Sequence, residues 1–181
     1  MGKYKLLVKL FLLLSLMLLT VGCSSKPDFE LYEGKNLSIA VLGTEPKIEE
    51  EQVNLQEISF EEFTTEELRK YDAVFVTKES FSKAAESQYA STYLDSHIPF
   101  FFIESNRGAY PFIDAELAYE DAREMPHTKY YANGFLAISK EEQKTWNYGL
   151  YNDEVNEENI KEMFSRIFET IETNPKGSDD S

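Results

Sequence analysis

Leu37-Ser38-Ile39-Ala40-Val41-Leu42-Gly43 decides the fold: six residues, five of them apolar, closed by a glycine. A run this short, bounded by turn residues, reads as a β-strand. Its near-continuous apolar character implies burial on both faces, and a strand buried on both faces needs helices above and below its sheet. The expectation is therefore an α/β fold with a mostly parallel sheet.

Outward from this strand the pattern repeats. Val53 to Phe60 reads as a second strand, although apolar positions 53 and 55 fall out of phase with 58 and 60, as a bulge or an edge position would produce. Ala73-Val74-Phe75-Val76 is a third strand, and Pro99 introduces a fourth, Phe100-Phe101-Phe102-Ile103. Thr64-Thr65-Glu66-Glu67 has capping-box spacing for a short helix that buries Leu68 and ends near Tyr71. Ser80 is placed to cap a helix on which Phe81, Ala84, Ala85 and Tyr89 recur, closed by Leu94. Asn106 to Thr128 is irregular, with a short helix expected across Ala115 to Arg123. Tyr131 to Ile138 and Trp146 to Tyr151 form a hairpin at one sheet edge. Ile160, Met163, Phe164, Ile167, Phe168 and Ile171 make the apolar stripe of a final amphipathic helix capped by Asn156. The whole is a four-strand, mostly parallel sheet with flanking helices, extended by a C-terminal hairpin and that helix. It forms one domain over residues 37–173, with 174–181 as a disordered tail.

The N-terminus sets the compartment. Lys3, Lys5 and Lys9 precede an apolar run from Leu10 to Leu19, which ends in Thr20-Val21-Gly22-Cys23. Basic, apolar and small residues in that order form an export signal, and the apolar part is about half the ~20 residues of a membrane-spanning helix. Gly22-Cys23 resembles the lipobox of bacterial lipoproteins of the Gram-positive type. The resemblance implies removal of residues 1–22, acylation of Cys23 and residence on the outer face of the cytoplasmic membrane. Residues 23–36 then form a lipidated tether. Cys23 is the chain's single cysteine, so no disulfide is expected. The net charge of −15 becomes −18 once the three signal lysines are removed, which excludes nucleic acid and any broad basic grip on anionic lipid.

Ligands of open parallel sheets sit beyond the carboxyl ends of the strands. That rule selects the loops at Thr44-Glu45, Lys78-Glu79 and Glu104-Ser105-Asn106-Arg107. Glu45, Lys78, Glu104, Asn106 and Arg107 on one rim could hold a small zwitterion or a polar sugar; the same charges also fit a network of ion pairs that fixes loop shape. Tyr130, Tyr131, Trp146, Tyr148 and Tyr151 cluster in the hairpin, and Tyr131 and Tyr151 are the exposed pair if Trp146 and Tyr148 point inward. His127 with a rim carboxylate is the one arrangement that would suit a hydrolase. The acids between Asp114 and Glu124, and Glu49-Glu50-Glu51, lack calcium-loop spacing and read as solvated faces. No phosphate or dinucleotide motif is present, and no cofactor is expected.

In strand and helix order the body is similar to small flavodoxin-like and glutamine-amidotransferase-like domains. It lacks the phosphate loop of the first and the nucleophilic cysteine of the second, so neither activity carries over. The expected function is a non-catalytic, membrane-anchored binding module for a polar ligand, a cell-wall fragment or a protein partner; an extracytoplasmic hydrolase is the alternative.

Overall fold

The computed structural model describes residues 29–125 and 128–176; the segment expected to be an export signal, Cys23, His127 and the tail from 177 onward lie outside them. The strands are β1 (Leu37–Leu42), β2 (Val53–Glu57), β3 (Ala73–Thr77), β4 (Phe100–Ile103), β5 (Tyr130–Ala137) and β6 (Gln143–Gly149). They form one sheet of order β2-β1-β3-β4-β5-β6. The first four run parallel, and β5 and β6 are antiparallel to their neighbours. The α/β class is as expected, but the sheet is mixed and has six strands, because the hairpin joins it through β4.

Strand alternation explains the near-continuous apolar runs. Ile39, Val41, Phe75, Phe101 and Ile103 face one core, and Ala40, Leu42, Val74, Val76, Phe100 and Phe102 face the other. Each central strand thus feeds two cores at once. The second strand stops at Glu57 without a bulge: Val53 and Leu55 pack on one face, whereas Ile58 and Phe60 pack on the other. Its position at the sheet edge accounts for the exposed residues between them.

The short helices fill the second core. α1 (Thr65–Leu68) is capped as expected, the Thr64 hydroxyl accepting from the Glu67 amide, and Leu68 is buried. The expected helix from Ser80 is broken into α2 (Phe81–Ala84) and α3 (Ala90–Asp95), because Glu86 is extended between them. The Ser80 hydroxyl caps nothing, and Tyr93 rather than Leu94 closes the segment. The buried Tyr93 hydroxyl donates to the Ala84 carbonyl at 3.0 Å, tying the two pieces together. α4 (Tyr110–Ile113) starts with Pro111 in its first turn, where a missing N–H is harmless. Of the helix expected over Ala115 to Arg123, one 3₁₀ turn at Tyr119–Asp121 is present.

α5 (Glu157–Thr173) covers the first core with the predicted stripe: Met163, Phe164, Ile167, Phe168 and Ile171 are buried. Asn156 caps it by accepting from the Asn159 amide at 2.9 Å. The N-terminal segment docks on this helix. Tyr32 is 5 % exposed, its amide donates to the Ser165 hydroxyl at 3.2 Å and its phenol to Glu172 at 2.7 Å. Ser165 in turn donates to the buried Glu50 carboxylate at 2.6 Å. The span read as a tether is therefore fastened to the body from Tyr32 onward. At the other end Lys176 donates to the carbonyl of Arg69 at 2.9 Å.

Candidate functional site

The path of the chain creates the site. The β1–β2 connection packs Ile48 against the core under α5, whereas the connections before and after β3 pack Phe63, Leu68, Phe81 and Tyr93 into the opposite core. Connections leave β1 and β3 on opposite sides, and a crevice opens beyond their carboxyl ends. The ladder keeps these ends level, with Leu42 opposite Val76 and Thr77 opposite Ile103. Two reversals through the hairpin bring the N-terminus of α5 to the same end. The result is a cleft of about 590 Å³, within the size range of small-molecule sites. Its floor is Ile103, Ile160 and Phe164, and its walls carry Glu45, Lys47, Lys78, Glu79, Glu104, Tyr131, Glu157 and Lys161.

The turn out of β1 depends on Gly43. At φ +117° it holds a conformation that side chains resist, and a Cβ there would lie 2.1 Å from the Thr77 hydroxyl oxygen. The turn points the Thr44 amide at the Thr77 hydroxyl, 3.0 Å away, and at one Glu79 carboxylate oxygen. That oxygen also accepts from the Thr77 hydroxyl at 3.0 Å. Burial opposes the charge on Glu79, but the hydrogen bonds from Thr44, Thr77 and its own backbone win and hold the carboxyl at about 2.

Glu104 is the strained residue of the site. Its φ is +65°, between the buried Ile103 and the fully buried Ser105. Its amide continues the ladder to the Tyr131 carbonyl at 2.6 Å, after which Asn133 holds the Ser105 carbonyl at 2.7 Å. The chain turns sharply there, leaving the Glu104 carboxylate in the cleft, 3.0 Å from the Lys78 ammonium. Burial, reinforced by the Glu104 charge and a hydrogen bond to it, pushes the Tyr131 phenol up to about 12. Lys161 pairs with Glu49 at 2.6 Å and Glu157 at 3.4 Å. Glu45 and Glu57 each accept from the other's amide, at 3.1 and 3.4 Å.

The structure thus brings together Glu45, Lys78, Glu104 and Tyr131, but not Asn106, Arg107 or Tyr151. Arg107 donates to the carbonyls of Tyr119 at 2.9 Å, Glu120 at 2.8 Å and Ala122, and to the Glu124 carboxylate at 3.0 Å. Its donors are spent on the 119–124 segment, in the shape-fixing role. Asn106 is exposed and holds the Met125 amide through its carbonyl. Tyr151 is 46 % exposed beside Phe29, away from the cleft lining. Trp146 and Tyr148 pack on the core, as Tyr131 partly does.

The sequence reading missed Lys47, Glu79, Glu157, Lys161 and the floor residues of α5. The hairpin was the available signal, since two reversals return the chain to the carboxyl ends. Among the described residues, no group of three or more His, Cys, Asp or Glu is placed to hold a metal, and no helix is long and apolar enough to cross a membrane. No protein-family model, curated protein or solved structure matches this chain.

Proposed function

We propose that this protein is a lipid-anchored, extracytoplasmic binding module that holds a small polar ligand in the cleft beyond β1, β3 and β4. The supporting observation is the cleft itself: charges of both signs above an apolar floor, at the crevice where such sheets take ligands. The anchor comes from the lipobox-like Gly22-Cys23, with the acylated cysteine holding the domain at the outer face of the cytoplasmic membrane. Binding is favoured over turnover because the carboxylates of Glu45, Glu79 and Glu104 have backbone, hydroxyl or lysine partners, and neither cysteine nor histidine lines the cleft among the described residues.

Two measurements test the proposal. Cys23→Ala should move the protein from the membrane fraction to the soluble extracytoplasmic fraction; a variant that stays membrane-bound defeats the anchor. A thermal-shift panel of amines, amino acids, sugars and cell-wall fragments should yield a ligand that, at a hundred times its Kd, adds about 2.7 kcal/mol to stability. A hit whose effect survives Glu104→Gln and Glu79→Gln together lies elsewhere on the molecule and sinks the cleft assignment.

A further inference from the structure

We propose that the cleft takes a small organic ammonium ion carried on an apolar body, and that the Lys78 ammonium holds its place in the unliganded protein. This inference rests on the binding reading above and names the ligand class.

Glu104 adopts a left-handed backbone that glycine would hold without strain, between two buried neighbours. What glutamate adds at that position is a carboxylate aimed into the cleft. Its partner Lys78 is a weak reason to keep it: the two side chains are 66 % and 43 % exposed, and such surface pairs contribute little to folding. A solvated pair at the mouth of a cleft is readily exchanged.

The surroundings favour a cation as the replacement. The Lys78 ammonium is drawn by Glu104 first and by Glu79 as well. Hydrogen bonds from Thr44, Thr77 and its own backbone hold the Glu79 carboxyl in its charged form beside Lys78. Four glutamates line the cleft against three lysines, and of those lysines Lys78 and Lys161 are already paired. An anion would have to compete with these carboxylates, whereas an ammonium would meet them. Ile103, Ile160 and Phe164 lie beneath, where an alkyl body can leave water.

The test is calorimetric titration of the full-length chain in detergent with n-butylammonium, n-butanol and butyrate, which share a chain and differ in charge. Butylammonium should bind at least about tenfold more tightly than the other two. Glu104→Gln should weaken it at least about tenfold, with the melting temperature kept. Lys78→Met should tighten it, by up to about fivefold, because the tethered competitor is gone. Weaker or unchanged binding in Lys78→Met overturns the inference. Equal binding of butanol or butyrate, lost in a variant of the half-buried Ile160, Ile160→Trp, that fills the floor, also overturns it and leaves the binding-module reading intact. No binding of any of the three overturns the ammonium assignment, and the wider panel then decides the reading itself.

Discussion

At residue 104 the fold and the site make opposite demands. A left-handed backbone costs an L-residue about 1–2 kcal/mol, and glycine escapes that cost while losing roughly 0.5–1 kcal/mol of chain entropy. Glu104→Gly is therefore expected within about 1 kcal/mol of the wild type or above it in urea unfolding, with Glu104→Ala about 1 kcal/mol below the glycine variant. Equal stabilities for the two variants would mean that no left-handed turn exists there. Glu79 makes a pH prediction. Its folded carboxyl sits at about 2 against an ordinary 4.5, so its contribution is complete above 4.5 and is lost as pH falls toward 2. Glu79→Gln should flatten stability across that window, and an unchanged acid limb would contradict the bonding drawn for Thr44 and Thr77. Glu45, Lys78 and Glu104 were legible in the sequence because each lies in the loop just after a strand. Arg107 was not, because its role depends on carbonyls of residues 119–122 that only the folded loop assembles.

Among the elements, α5 carries the most. Phe168 stacks on Phe164 and Phe75 and meets Tyr32, so Phe168→Ala should cost about 3–5 kcal/mol in urea unfolding with the slope unchanged. Asn156→Ala removes a single cap and should cost about 1 kcal/mol. If the cap variant proves as damaging as the core variant, the helix is held by its end and not by its face. This helix was readable because seventeen residues repeat one stripe. The Ser80–Leu94 segment was misread because Phe81, Ala84, Ala85 and Tyr89 keep helical spacing across a break at Glu86. Burial periodicity reports which side chains face inward, and two short pieces on one face give the same signal as one long helix. β2 is the edge strand that its spacing allowed, but it ends at Glu57 and not Phe60: the phase change is a change of sheet face after Glu57, which spacing alone cannot separate from a bulge.

The molecule as a whole carries a net charge of −15, against a handful of exposed ion pairs such as Lys78–Glu104 and Lys161–Glu49. Salt weakens both the pairs and the self-repulsion, and with so large an excess of one sign the repulsion should dominate. The melting temperature is expected to rise as the screening length falls from about 30 Å at 0.01 M salt to about 8 Å at 0.15 M. A fall would mean that the ion pairs outweigh the net charge. Class and layer order were visible in the sequence because apolar runs and one stripe encode them; the six-stranded register was not, since the hairpin's attachment to β4 is a long-range pairing. With Cys23 acylated as proposed, the docked Tyr32 would shorten the leash. From Cys23 to Tyr32 the chain can span at most about 30 Å when fully extended. A domain anchored as proposed and held that closely would search a surface instead of a volume. Any amine presented at the bilayer would meet the cleft repeatedly before escaping, so modest intrinsic affinity would suffice for high occupancy there.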